Sequence, residues 1–394
     1  MEKGYQKTVY ACFVSFIVQA INNNFAPLLF LTFQDSYAIS LSSISALITI
    51  NFCVQLTVDL LAVKFVDRIG YRAAMLIAHG AAALGLAGLA FLPELLLPFW
   101  GLTLSVSIYA IGGGIIEVVS SPIVEACPTK NKEGTMSLLH SFYCWGHMGV
   151  VILSTLYFWL FGIENWKLMA CIWALVPLVN GIVFLSVPIV PILAEGERGV
   201  SVKELLTNRL FWLLFLMMLC SGASELGMSQ WASAFAEKAL HMPKALGDLA
   251  GPLSFALCMG ISRTLYGKLS EKIQLTKCMI GSAVLCIASY LIASLSPNPL
   301  FGFLGCALGG FSTGIMWPGT FSSGTAALRG GGTAMFAFFA LAGDMGCSVG
   351  PTVVGIVSDA LGGDLKKGML AAIVFPVGLL VALIAKQKRM NRSL

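Results

Sequence analysis

Four carboxylates stand inside long apolar runs of this chain: Asp59, Glu117, Glu225 and Asp344. An ionisable side chain at the centre of a bilayer costs roughly 2.5–3.5 kcal/mol on the insertion scale, so each one needs a partner or a task. Glu117 lies among Gly112, Gly113, Gly114, Ser120 and Ser121. Small neighbours let helices approach and leave room for a ligand or water. Desolvation penalises the charged form of a carboxyl, so a group so placed can exchange a proton as its surroundings change. A proton carrier, a substrate acceptor or a structural acid at a helix contact all fit Glu117. Glu225 shares a helical face with Ser221 and with Met228 or Ser229, which suits the same task or a polar contact between bundles. Asp344, between Gly343 and Met345, suits coupling, packing or gating. His140 adds an imidazole, which titrates near physiological pH or serves as a neutral hydrogen-bonding group. The expected proton-coupling set is Glu117, Glu225, His140 and Asp344.

A second group is suited to holding a polar solute. Asn22, Asn23 and Asn24 interrupt an apolar run; successive residues point about 100° apart on a helix, so one or two face a cavity and the rest bond to neighbouring helices. Amides both donate and accept, which matches sugar hydroxyls. Gln55 is a weaker candidate of the same kind. Trp145, Trp231 and Trp317 fall inside apolar runs, away from the interfacial belt. An indole offers a flat face to a pyranose ring and an N–H to a hydroxyl, and serves equally as core packing. With Gln230, Glu117 and His140 added, the expected solute contacts are Asn22, Asn23, Glu117, His140, Trp145, Trp231, Gln230 and Trp317. A charge network of Asp59, Asp67, Arg68, Arg72, Arg263 and Glu271 is expected to close a cytoplasmic gate. Pro318-Gly319, beside Trp317, predicts a kink in a moving helix.

These residues need elements that can carry them through oil. Of 394 residues, 57% are apolar and 11% charged, with a mean hydropathy of +0.86; soluble domains carry about 25% charged residues. Apolar runs fall near 8–33, 42–65, 73–92, 98–126, 136–161 and 165–190, then near 209–237, 246–268, 276–296, 298–328, 332–358 and 366–386. Each approaches or exceeds the roughly 20 residues that cross a bilayer. The fold class is an all-α membrane protein of twelve transmembrane helices in two six-helix bundles related by a pseudo-twofold axis. The expected domains are an N-terminal bundle over 1–190, a polar cytoplasmic linker over 191–208 and a C-terminal bundle over 209–394. With the N-terminus in the cytoplasm, 18 Lys and Arg residues fall on the inner side and 5 on the outer, Arg263 lying within a span. This places both termini in the cytoplasm; the expected location is the plasma (inner) membrane. The polar start followed by an apolar run without a small-residue cleavage site reads as a first span, with no removable signal peptide.

The halves echo one another: 66–72 follows the second span, 267–272 follows the eighth, and glycine clusters recur at Gly112-Gly113-Gly114 and Gly309-Gly310. Such internal symmetry marks transporters that rock two bundles about a central site. The eleven cysteines form no C-x-x-C pair and no metal-ligand spacing. There is no G-x-x-x-x-G-K-[ST] loop and no nucleophile–base pair, so neither an enzyme nor a cofactor is expected. Net charge of +5, spread along the chain, gives no reason to expect nucleic-acid binding. The expected partners are a small polar solute, a proton and the lipid bilayer, with a monomeric protein.

The turn Asp67-Arg68-Ile69-Gly70-Tyr71-Arg72 resembles the signature loop of the major facilitator superfamily, and the likeness covers nearly the whole chain. Gly114-Ile115-Ile116-Glu117-Val118-Val119-Ser120-Ser121-Pro122 resembles the fourth-span motif of its fucose–galactose–glucose:proton symporter branch, with Ser120-Ser121 where Ala-Asn is common. Leu138-Leu139-His140-Ser141-Phe142-Tyr143-Cys144-Trp145-Gly146 resembles the start of that branch's fifth span. Glu225 with Trp231, and Arg263 with Gly267, are similar to positions in the seventh and eighth spans of some members. The resemblance implies alternating access and proton-coupled sugar symport. A proton-antiporting exporter of drugs or metabolites on the same fold is the alternative.

Overall fold

The computed structural model describes residues 3–190, 200–232, 235, 244–328 and 330–392. The described residues contain helices and no strands. Among the described residues, eleven helices are long and apolar enough to cross a membrane. We number the spans α1 Lys3–Asn24, α2 Leu41–Ile69, α3 Tyr71–Leu95, α4 Pro98–Ala126, α5 Lys132–Phe161, α6 Trp166–Ser186, α7 Arg209–Ser229, α8 Lys244–Leu269 and α9 Leu275–Leu295. The tenth, α10, is broken into Pro299–Thr313 and Met316–Ala327; α11 is Gly332–Ala360; α12 is broken into Leu365–Ala371 and Val374–Arg392. The remaining span is α8, whose 26 residues reach about 39 Å.

Local chemistry sets the ends and the breaks. Ser40 caps α2 through the Ser43 amide, Asn208 caps α7 and Asp364 caps the first piece of α12; each supplies an acceptor to an otherwise orphaned N–H. Gly70 joins α2 to α3 at φ 82, a left-handed backbone that glycine adopts without strain. The break in α10 falls at Gly314–Ile315, one turn before the Pro318-Gly319 pair that predicted it. Proline has no N–H and its ring crowds the carbonyl four residues back, which here is Gly314. The break in α12 after Ala371 follows the same rule, set by Pro376. Before α7 the short helix Val202–Thr207 opens with a capping box. The Ser201 backbone N–H donates to Glu204 at 2.8 Å and holds that carboxyl below its usual range. The expected linker over 191–208 falls partly on residues 191–199, outside the described residues.

The chain divides into two compact units: Met1–Lys130 with Phe142–Glu197 and Gly332–Ala337, and Asn131–Ser141 with Arg198–Gly331 and Phe338–Leu394. The start of α5 thus groups with the later spans and the start of α11 with the earlier ones. In the first unit α3 packs on α4 and α6, and α4 also carries α1 and α2. In the second, the first piece of α10 packs on α8 and α9, while α12 packs on α7 and α9. The repeated glycine clusters perform repeated work. A Cβ on Gly112 would stand 2.5 Å from the Ala78 carbonyl oxygen of α3, and one on Gly310 2.3 Å from the Phe255 carbonyl of α8. Only glycine lets those backbones meet so closely.

Candidate functional site

In the first unit a chain of amides runs from α2 through α1 to Glu117 on α4. Asn51 Nδ2 donates to Asn23 Oδ1 at 3.2 Å, and Gln55 Nε2 donates to the same oxygen at 2.9 Å. Gln19 Nε2 donates to Gln55 Oε1 at 3.1 Å and to Glu117 Oε2 at 3.1 Å. Gln19, Asn51 and Gln55 are buried, while Glu117 and Asn23 are half-buried. Gln19 and Asn23 are four residues apart on α1, as are Asn51 and Gln55 on α2, so each pair shares a helical face. Gln19 reaches Glu117 because α4 offers no side chain at Gly113; a Cβ there would stand 2.5 Å from Gln19 Oε1.

The three consecutive asparagines separate as helix geometry requires. Asn23 enters the amide chain, Asn22 donates to the Tyr109 carbonyl of α4 at 3.3 Å, and Asn24 turns back to the Ala20 carbonyl at 2.8 Å. Asn22, 1% exposed, ties α1 to α4. Trp145 is among the exposed large side chains at 36%. His79, buried on α3, closes a separate neutral network: its Nδ1 lies 2.7 Å from the Met75 carbonyl, and its Nε2 lies 2.8 Å from Asn180 Nδ2 and 3.2 Å from Ser15 Oγ. With Nδ1 donating to the carbonyl, Nε2 accepts from the amide, and α1, α3 and α6 are joined without a charge.

At the α2–α3 turn, Asp67 and Tyr71 meet Thr333 at the start of α11. Thr333 Oγ1 donates to Asp67 Oδ1 at 2.6 Å, and the Tyr71 hydroxyl lies 2.5 Å from the same Oγ1. Arg72 does something else: its guanidinium donates to the carbonyls of Phe184, Leu185 and Val187 at 2.6, 2.8 and 2.9 Å, capping the end of α6. Arg68 is exposed and Asp59 fully buried. At the other end of this unit, a cleft of about 490 Å³ is lined by Asp35, Glu94, Glu164, Trp166 and Lys167 among others. Lys167 pairs there with Glu94, and the cleft contains none of the expected site residues.

In the second unit Arg263, expected in the gate, is 3% exposed and pairs with Glu225 of α7, Nη2 to Oε2 at 3.0 Å. Its Nε donates to the Gly314 carbonyl at 2.9 Å and its Nη1 to the His140 carbonyl at 3.1 Å. The Gly314 oxygen is the one that Pro318 deprives of its helical donor, so the α10 break and the arginine answer each other. The His140 ring stacks on Phe321 with centroids 5.7 Å apart. Trp317 lies against Gly343, where a Cβ would come 2.1 Å from the indole. Trp231 donates from Nε1 to the Pro351 carbonyl at 3.0 Å, while Gln230 is exposed. Asp344 is buried beside Gly343, at the close crossing of α11 over Gly222 of α7. The start of α5 meets the end of α8: Asn131 Nδ2 donates to Ser270 Oγ at 2.7 Å, and the Tyr266 hydroxyl to Glu133 Oε2 at 2.9 Å. Glu271 is exposed and joins neither contact. Among the described residues no group of His, Cys, Asp and Glu could hold a metal ion.

Sequence reasoning about single residues did not single out Gln19, Asn51, Thr333, Tyr266 or Glu133. The i, i+4 spacing of 19 with 23 and of 51 with 55 was a usable signal for the first two. Thr333, Tyr266 and Glu133 are ordinary helix-end residues whose partners lie on distant spans.

The sequence model of the Major Facilitator Superfamily matches residues 11–351. No curated protein matches the sequence. Among solved structures, FucP in the outward conformation, the protein described as the E. coli fucose:proton symporter, is similar with a TM-score of 0.82 and 16% identity, over 97% of this chain and 99% of that one. The proton:xylose symporter XylE, bound to 6-bromo-6-deoxy-D-glucose, gives 0.77 at 12% identity, over 98% and 95%. The human organic anion transporter MFSD10 gives 0.76 at 15% identity, over 97% and 100%. At these identities the likeness is one of fold.

Proposed function

The chain belongs to the Major Facilitator Superfamily, and on that premise we propose that it is a secondary transporter moving a small polar solute, a sugar, in symport with protons. The observation that carries this reading is the amide chain ending on Glu117. A dry helix contact gains little from five polar side chains, because each buried amide left short of a partner is costly. Gln19 Oε1 and Asn51 Oδ1 are buried without a hydrogen-bond partner among the described residues. A hydroxylated solute or water can complete them.

In this reading Glu117 is the proton acceptor and Gln19 orients it. A carboxylate accepts a charge-assisted bond from Gln19; a carboxylic acid accepts a weaker one. Loading a proton therefore loosens the amide chain and frees Gln19 and Gln55 to turn toward a solute. In the first unit Asn23 and Trp145 are the proposed solute contacts; His140 and Trp317 are those proposed for the second unit taken by itself. Trp231 and Asn22, each bonded to a main-chain carbonyl, set the positions of their helices. The contacts of Asp67 and Tyr71 with Thr333, and of Asn131 and Glu133 with Ser270 and Tyr266, are the proposed gate, lying on the cytoplasmic side by the Lys and Arg bias. The same bias supports cytoplasmic termini, and the plasma (inner) membrane is the proposed location. Two proteins of like fold are described as proton:sugar symporters, which is consistent with this reading.

A thermal-shift screen of the purified protein against a panel of monosaccharides tests the solute class. A ligand at 100 times its Kd stabilises the native state by about 2.7 kcal/mol, so a cognate sugar raises the midpoint by several degrees. A flat response across neutral sugars, with a shift from organic anions, would replace the sugar assignment.

A further inference from the structure

Arg263 engages three elements besides its own. Nη2 binds Glu225 on α7, Nε binds the Gly314 carbonyl at the break of α10, and Nη1 binds the His140 carbonyl on α5. The Arg263 carbonyl in turn accepts from Ser137 Oγ of α5 at 2.7 Å. Two of these four contacts fall in Asn131–Ser141, the stretch of the first six spans that groups with the later ones. A planar guanidinium donates in a fixed fork. Anchoring one edge on Glu225 therefore dictates where the other edges point. Glu225 also neutralises the buried cation, and removal of one member of a buried pair leaves a charge that must find water or a new partner.

We propose that Arg263 is a latch on the start of α5, held closed by the charge of Glu225 and released when that carboxylate is neutralised by a proton. The latch rests on the transporter reading for its use. Of the titratable groups near Glu225, Arg263 of α8 binds it directly, His140 of α5 is tied to Arg263 through its carbonyl, Tyr290 of α9 binds the Ser224 carbonyl, and Cys347 and Asp344 of α11 lie where that helix crosses α7 at Gly222. Arg263 is the ion-pair partner among the described residues. Tyr290 donates its hydroxyl to the Ser224 carbonyl at 2.9 Å and so fixes the backbone beside Glu225. A proton on Glu225 removes the anchor of the fork, Nη1 leaves the His140 carbonyl, and 131–141 loses a side-chain tie to α8. Arg263 is thus a positioning residue and makes no contact with solute in this proposal.

Hydrogen exchange on the full-length purified protein, without solute, tests it. Glu225→Gln keeps the shape of the side chain and removes its charge. Exchange of the amides in 131–141 should rise about tenfold or more, the factor associated with losing one charge-assisted hydrogen bond, while α9 and α12 keep their protection. Arg263→Lys keeps the ion pair and loses the fork; it should release 131–141 and leave α7 protected. Wild-type rates in 131–141 for both variants, after correction for intrinsic exchange, would overturn the latch. If Glu225→Gln exposes the whole unit, Arg263→Lys alone decides. An exchange response without pH-driven uptake by the wild type would preserve the latch and refute the symporter; uptake with no exchange response would do the reverse.

Discussion

The geometry around Gly113 allows the amide chain to be cut without touching a polar residue. Gly113→Ala places a methyl 2.5 Å from Gln19 Oε1, so the amide must retreat by about 1 Å to reach ordinary contact. Its bonds to Gln55 and Glu117, both 3.1 Å, then stretch past hydrogen-bonding distance. A neutral bond contributes about 0.5–1.5 kcal/mol and a charge-assisted one about 1.5–3, whereas interhelical bonds in membranes average near 0.6. The expected loss is about 1–4 kcal/mol, with the proton dependence of uptake changed because Glu117 loses its donor. Thermal unfolding in detergent and solute uptake into vesicles read the two effects. Gly80→Ala is the control: nothing lies within 4 Å of its Cβ, so the variant should gain up to about 1 kcal/mol from helix propensity. Gln19→Ala loses the same bonds, so adding Gly113→Ala to it should cost almost nothing more. Full additivity of the two losses would show that Gly113 acts elsewhere and would refute the reasoning.

Other expectations follow from single contacts. Arg72→Ala removes three main-chain bonds at the end of α6 and should lower stability by about 2–4 kcal/mol, while exposed Arg68→Ala should stay within about 0.5 kcal/mol of wild type; thermal unfolding separates them. Asn22→Ala should cost about 1 kcal/mol and leave the apparent affinity for solute intact, whereas Asn23→Ala should weaken it, as read from uptake kinetics. Gly343→Ala drives a methyl into the Trp317 indole and should cost about 1–3 kcal/mol, with a shift in tryptophan emission.

The spans were legible because hydrocarbon demands long apolar helices with internally satisfied backbones, and even the α10 break could be placed from Pro318 once the carbonyl four residues back was considered. The repeated glycines at 112 and 310 were legible as a pair, and the structure gives both the same task. The site was legible in part. Glu117 and Asn23 were visible as polar residues in oil, but their partners Gln19 and Asn51 emerge only when helical faces are compared. For Arg263 the distance from Gly267 along one helix was readable, whereas its pairing with Glu225 depends on how α7 and α8 pack. Thr333 carries no signal in the sequence at all, since a threonine at a helix start is ordinary until α11 meets the α2–α3 turn.

The central claim is that Glu117 couples proton movement to solute movement. Solute accumulation should be measured in vesicles with and without an imposed pH gradient, for the wild type and Glu117→Gln, alongside solute exchange at equal pH. The wild type should accumulate solute only with the gradient, and the variant should exchange solute without accumulating it. Gradient-driven accumulation by Glu117→Gln at the wild-type level would contradict the account.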